Sequence, residues 1–123
     1  MSESNSSLPR HHVGVDFREK TFAAETAHRF GFLVEAGFVA LPVELPETTD
    51  RLPRSTSVRF HGPIARVEVR LALAFAGEDE LATRVETVKG RFEFGPTTAH
   101  KGHEMRKALD VQARRVADLL GIR

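Results

Sequence analysis

The chain has 123 residues, enough for one hydrophobic core, and its 41% hydrophobic and 28% charged content is ordinary for a globular protein. It has no cysteine, which excludes disulfides, thiolate metal sites and a cysteine nucleophile, and its net charge of +1 argues against a general nucleic-acid binder. The polar N-terminus lacks a secretory signal and no apolar run reaches the roughly 20 residues that cross a bilayer, so we expect a cytoplasmic protein without membrane contact.

Residues 1–13 are rich in serine and have no apolar periodicity, which predicts a disordered tail before a single domain over residues 14–123. Asp16 and Glu19 have the form of a capping box, so a helix is predicted to start there. Apolar residues then recur at three- and four-residue intervals, which predicts one helix over residues 17–36. Gly37 is expected to end it, and Gly31 indicates close packing against another backbone.

The next segment predicts an edge strand and then a loop. Residues 38–43 are mostly apolar, and Pro42 indicates an outer strand because proline cannot donate a hydrogen bond to a neighbour. Residues 44–55 contain two prolines and several polar residues, which predicts an exposed loop. Its length makes this loop a candidate binding element.

A hairpin is predicted over residues 58–75, where apolar residues alternate on either side of a central Gly62-Pro63. A turn at residues 61–64 would place Arg59 opposite Arg66 and Ser57 opposite Glu68. Directly opposed arginines repel, so an acidic neighbour or an acidic partner is needed to offset them.

The C-terminal third predicts one or two further strands and a helix. Residues 81–88 alternate in polarity, and residues 89–96 can continue as a short strand after a bend, with Phe92 and Phe94 in the core. The last helix is predicted to begin at Thr97 or Thr98 and to end at Gly121. Its buried stripe is predicted to be Met105, Ala108, Leu109, Gln112, Val116, Leu119 and Leu120. The fold class is therefore α+β, with an antiparallel sheet of about four strands and both helices packed on one face.

The outer face of this sheet is the candidate binding site. The residues predicted to bind a partner are Arg59, Arg66, Glu68, Arg70 and Arg84. A guanidinium group presents a fixed fork of donors, so this array suits a protein partner with an acidic surface. No residue is assigned a catalytic, cofactor-binding or metal-binding role, and the residues give no support for an enzyme. A homodimer is left open.

Two alternatives remain from the residues. A small-molecule site or an enzyme would place histidines in a pocket between helix and sheet, with His28, His61, His100 and His103 as candidates. The spacing of His100 and His103 differs from that of zinc proteases, which argues against a metal role. A nucleic-acid binder would use the C-terminal helix, where basic residues outnumber acidic ones.

Several short segments together resemble a family. They are a helix that ends in Phe30-Gly31-Phe32-Leu33-Val34-Glu35-Ala36-Gly37-Phe38, a proline-containing loop, Val58-Arg59-Phe60, an alternating strand from Val67 to Leu71 and a C-terminal amphipathic helix. This order resembles small bacterial α+β proteins of unassigned function that accompany toxin loci, some of which are thought to act as immunity proteins. The resemblance covers about residues 17–120. It implies a non-catalytic protein that binds another protein, and it assigns a role to no residue.

Overall fold

The computed structural model describes residues 17–43, 54–74 and 78–122. The predicted α+β class is confirmed, with five strands in one sheet instead of about four. The predicted tail and the predicted cap Asp16 lie outside the described residues. The elements in chain order are helices α1 (Phe17–Arg29) and α2 (Gly31–Glu35), strands β1 (Val39–Ala40), β2 (Arg54–His61), β3 (Ala65–Leu73), β4 (Glu80–Thr87) and β5 (Gly90–Thr98), and helix α3 (Gly102–Leu120).

The sheet is an antiparallel meander in which each strand pairs with the next strand along the chain. β1 lies at one edge, as predicted, but it is only two residues long. Beyond it the Leu41 N–H still donates to the Arg59 carbonyl oxygen at 2.9 Å, whereas Pro42 has no N–H to donate. Arg54 and Ser55 belong to β2, which corrects the end of the predicted loop, and residues 44–53 lie outside the described residues.

The turn between β2 and β3 is one residue further along the chain than predicted. The Gly62 N–H donates to the Ala65 carbonyl oxygen at 2.9 Å, so Pro63 and Ile64 form a two-residue turn. Proline suits the first of these two positions because its φ angle is already fixed near the required value. The Phe38 ring lies against this turn, and a Cβ added to Gly62 would come within 2.6 Å of the ring.

The shifted turn changes every pair across the hairpin by two residues. Arg59 lies opposite Glu68, so the predicted pairing of Arg59 with Arg66 is wrong. Ser57 lies opposite Arg70 and not opposite Glu68 as predicted. The repulsion between opposed arginines that the predicted register implied is therefore absent.

The predicted helix over residues 17–36 is divided into α1 and α2 at Phe30. The Phe30 N–H donates to the Thr26 carbonyl oxygen at 2.9 Å, but the Phe30 backbone, at φ −102° and ψ 14°, leaves the helical range. The Phe30 ring is fully buried and stacks against Phe60, with 6.1 Å between ring centroids. Gly31 has no atom within 4 Å of an added Cβ, so the predicted close packing there is wrong. Gly37 ends the segment at a φ of 100°, as predicted.

Both long helices pack on one face of the sheet, as predicted. α1 contacts β2 and β3, α3 contacts β4 and β5, and the two helices also contact each other. Alternate strand residues and one stripe of each helix form the core between the two layers. Its fully buried members include Phe22, Phe30, Leu33, Val69, Leu71, Leu73, Leu81, Val85, Leu109 and Val116. Of the helices in the described ranges, none combines the length and hydropathy that a bilayer crossing requires.

Helix α3 begins later than predicted because β5 continues through Thr98. The helix starts at Gly102, and the Glu104 carboxylate accepts the Lys101 backbone N–H at 3.1 Å. The predicted stripe is buried from Met105 to Val116, whereas Leu119 is 37% exposed. Gly121 ends the helix in the left-handed region, as predicted.

A buried glutamine joins α3 to an irregularity in the sheet. The register of β4 and β5 shifts between Leu81 and Thr83, which leaves the Leu81 carbonyl free for another donor. The Gln112 side-chain N–H donates to this carbonyl oxygen at 3.0 Å, and the Gln112 oxygen accepts the Thr83 hydroxyl at 2.6 Å. Gly95 lies at the same place with a φ of 96°, and a Cβ there would lie 2.7 Å from the Leu81 oxygen.

Candidate functional site

The face of the sheet opposite the helices is called the open face. It is formed by the outward side chains of β2 to β5, which are Ser55, Ser57, Arg59, His61, Arg66, Glu68, Arg70, Ala72, Glu80, Ala82, Arg84, Glu86, Arg91, Glu93 and Gly95. In the described part of the chain neither long helix packs against it. All five residues predicted to bind a partner lie on this face, because a shift of two residues does not change the side of the sheet to which a residue points.

One row of alternating charge crosses the open face from β2 to β5. It consists of Arg59, Glu68, Arg84 and Glu93, which lie opposite one another on successive strands. Nε of Arg59 lies 3.3 Å from one oxygen of the Glu68 carboxylate, and Nη2 of Arg84 lies 3.0 Å from the other. Two of the predicted binding arginines are thus already paired with a carboxylate of the same sheet.

The same contacts set the protonation of Glu68. Burial alone would raise the pKa of Glu68, but the side-chain hydrogen bond with Ser57 and the charges of Arg84, Arg59 and Arg70 outweigh it. The pKa is therefore lowered from its ordinary value. Glu68 is an anion at neutral pH, and it holds the two flanking guanidinium groups in place.

A second row has the opposite order of charge on β3, β4 and β5. His61, Arg66, Glu86 and Arg91 lie opposite one another on β2, β3, β4 and β5. Nε of Arg91 lies 3.5 Å from the Glu86 carboxylate, and both side chains are about half exposed. On β3, β4 and β5, positive and negative groups therefore alternate both along each strand and between neighbouring strands.

Arg66 and Arg70 are the cations of this face that form no ion pair with the described residues. Both are exposed and lie on β3, on either side of Glu68. They are four positions apart on one strand, so their Cα atoms are separated by roughly 13 Å. Their guanidinium groups are the cationic donors most available to a partner.

Two shallow depressions accompany these arginines. One, of about 170 Å³, is lined by residues of both charged rows and includes Arg66. The other, of about 470 Å³, is lined by small residues and by the charged residues Arg54, Arg70, Glu80 and Glu93. The small residues are Ser55, Ala72, Ala82, Gly95 and Pro96. Both depressions therefore contain charged residues, and small residues are concentrated in the one farther from the β2–β3 turn.

The histidines that the sequence proposes for a pocket are not gathered in one. His28 and His103 are exposed, on α1 and α3 respectively, and His61 lies on the open face. His100 is half exposed, with Nδ1 3.5 Å from the Asp79 carboxylate. Among the described residues no three side chains of the histidine, aspartate or glutamate type are placed to hold a metal ion.

Two carboxylates, those of Glu19 and Asp79, are buried, and both are paired with arginine. Glu19, on α1, is fully buried and contacts the Thr56 hydroxyl and Arg54, whose Nη2 lies at 3.2 Å. The carboxylate therefore bonds to β2, and the predicted capping contact with Asp16 involves a residue outside the described ranges. Asp79 is 1% exposed, and its carboxylate accepts a hydrogen bond from Nη1 of Arg18 at 2.8 Å. These two groups attach α1 to the sheet.

Sequence reasoning missed two members of the open face, Arg91 and Glu93. It placed Phe92 and Phe94 in the core, and both do pack against it. Charged and aromatic residues alternate from 91 to 94. Successive side chains of a strand point to opposite faces of the sheet, so two aromatic residues directed into the core place Arg91 and Glu93 on the outer face. The exposed basic residues of α3, including Arg114 and Arg115, do not join this face, and the nucleic-acid alternative that depends on them stays a prediction.

In comparisons with known proteins, no protein-family model, no curated protein and no solved structure matched this chain.

Proposed function

We propose that this protein is a non-catalytic protein-binding module whose contact surface is the open face. The observation that carries the proposal is the pair Arg66 and Arg70, two exposed guanidinium groups without an ion pair among the described residues. They lie on β3, the central strand, so the spacing of their backbone positions is already fixed before a partner binds. Segment 44–53, the part of the predicted 44–55 loop that precedes β2, remains a proposed second contact, since it leads into β2 at Arg54.

The alternation of charge favours a folded protein partner over a polyanion. Along β3 the order is positive, negative, positive, at Arg66, Glu68 and Arg70. A protein surface with two carboxylates roughly 13 Å apart, and a neutral or basic group between them, complements this order. A uniformly negative phosphate backbone would face the carboxylates of Glu68, Glu86 and Glu93 as well, which opposes binding.

The immunity-like interpretation is a narrower form of this proposal, in which the partner is a toxin. It is supported by the family resemblance of the sequence. The identity of a captured partner is what distinguishes it from other protein-binding roles.

Reversal of the two unpaired charges tests the proposal. We expect Arg66→Glu combined with Arg70→Glu to keep the fold and to reduce partner capture by about tenfold or more, because two attractive contacts become repulsive. The measurement is affinity capture from the native host, with bound proteins quantified by mass spectrometry and then tested individually by titration calorimetry.

The matched control is Arg114→Glu combined with Arg115→Glu on the exposed side of α3, which changes the net charge by the same amount. A partner kept by this control and lost by the open-face variant supports the proposal. Equal capture by the wild type and the open-face variant would remove it.

A further inference from the structure

The outer edge of β5 is a second surface whose properties are not used by the proposed function. β5 is the last strand of the sheet, and in the described part of the chain no strand pairs with its outer edge. Natural sheets commonly protect such edges with lysine, proline or a covering segment, because free backbone groups recruit other strands. In β5 the only proline is Pro96, toward the C-terminal end, and Lys89 lies in the turn before the strand, so the segment from Arg91 to Phe94 contains neither residue type.

The β4–β5 turn determines which backbone groups face outward. Val88 and Lys89 form a two-residue loop, and Thr87 lies opposite Gly90. The residues that flank such a loop bond to each other, and an antiparallel ladder alternates bonded and non-bonded pairs. The N–H and C=O groups of Arg91 and Glu93 consequently point away from β4, toward the free edge.

We propose that β5 pairs antiparallel with β5 of a second copy of this chain, about a twofold axis at Phe92. Arg91 of one copy then lies opposite Glu93 of the other, and the two residues exchange both backbone hydrogen bonds; the symmetry repeats this on the other side of Phe92. The partner is thus another molecule of the same protein, and the two sheets become one continuous sheet.

Charge selects this register over its neighbours. If the axis moved by one residue to position 91, Arg91 would lie opposite Arg91 of the second copy. If it moved to position 93, Glu93 would lie opposite Glu93 of the second copy. Like charges directly opposite one another are destabilising. In the proposed register each arginine meets a glutamate. The alternating rows of the open face, which end at Glu93 and Arg91, continue without interruption into the second copy.

The face of β5 that carries the helices also suits pairing with the same face of a second copy. Phe92 is half-buried and packs at the margin of the core, so part of its ring is still exposed in one copy. At the proposed axis it lies opposite Phe92 of the second copy in a non-hydrogen-bonded pair, where side chains approach most closely. Aromatic pairs across strands are stabilising.

The register can be tested by charge reversal on separate chains. Arg91→Glu alone and Glu93→Arg alone each place like charges opposite one another, so each variant is expected to self-associate about tenfold more weakly than the wild type. An equimolar mixture of the two variants restores an acidic residue opposite a basic one at both positions. We expect the mixture to form a heterodimer, measured by light scattering and by native mass spectrometry, where the variants differ in mass.

Arg114→Glu serves as the matched control, since it changes charge on the exposed side of α3 and leaves β5 intact. Circular dichroism confirms that each variant is folded. A wild-type protein that stays at the 13.7 kDa of one chain at all concentrations overturns the proposal. A dimer that neither single variant weakens also overturns it, because that dimer uses another surface.

Discussion

At the scale of single residues, Glu68 determines how much of the open face is available to a partner. Its carboxylate is shared by Arg59 and Arg84, and its lowered pKa reflects these neighbours and the hydrogen bond with Ser57. The two guanidinium groups can bind an external carboxylate only in competition with Glu68. Arg66 and Arg70 have no such competitor at ion-pair distance among the described residues.

The lowered pKa predicts a pH-dependent contribution of Glu68 to stability. A carboxyl group whose folded pKa lies below its unfolded value stabilises the fold above the unfolded pKa of about 4.3, and this stabilisation is lost as pH falls through the folded pKa. Glu68→Gln is expected to lower the free energy of unfolding by about 1 kcal/mol at neutral pH. The difference from the wild type should vanish in acid. Urea unfolding at a series of pH values measures it.

Glu35→Gln is the control for this experiment, because Glu35 is exposed on α2 and no ion pair involves it among the described residues. Its effect is expected to stay within about 0.5 kcal/mol at every pH. A Glu68→Gln difference that does not change with pH would show that the stabilisation does not come from the ionised carboxylate.

At the scale of elements, the sequence predicts which face of a strand is buried better than it predicts strand partners. Burial follows the alternation of apolar residues, and a two-residue error in the β2–β3 turn leaves that alternation unchanged. The partners of Arg59 and Ser57 were therefore wrong although both residues were placed on the correct face. The position of Pro63 as the first residue of the turn was the signal that could have given the register.

Other boundaries depend on contacts that no local pattern contains. The break at Phe30 accompanies burial of its ring against Phe60, which is distant in the sequence. The length of β5 depends on the irregularity at Leu81, which Gln112 stabilises from α3. A polar residue in a helical stripe gives no indication of such a contact in advance, although the burial of Gln112 itself was predicted.

The β4–β5 irregularity predicts a strong effect of a methyl group at Gly95. Gly95→Ala places a Cβ 2.7 Å from the Leu81 carbonyl oxygen, in addition to the strain of a positive φ. We expect a loss of about 2 kcal/mol or more in the free energy of unfolding, measured by chemical denaturation. Gly90→Ala is the matched control, since Gly90 also has a positive φ but has no atom near an added Cβ. Equal losses in the two variants would show that the close contact contributes nothing.

At the scale of the whole molecule, the two layers are joined by polar contacts as well as by the core. The pairs Glu19 with Arg54 and Arg18 with Asp79 attach α1 to the sheet, and Arg29 contacts Asp110 of α3 at 2.8 Å. The first two pairs contain the buried carboxylates of Glu19 and Asp79, and such pairs contribute less to stability than their charge suggests, because the groups lose water. Asp110 is about half exposed, so its pair with Arg29 is a surface contact. These polar pairs restrict the positions of α1 and α3 and keep both helices on one side of the sheet.

The meander order has a consequence for how the chain folds. Every ladder joins strands that follow each other in the sequence, so most of them close short loops, whereas the contact of Arg29 with Asp110 closes a loop of 81 residues. Because the entropy cost of closure rises with loop length, we expect the strands to assemble first and the two terminal helices to dock against each other last. Pulse-labelled amide exchange during refolding should then protect β3 and β4 before α3, and simultaneous protection would contradict this order.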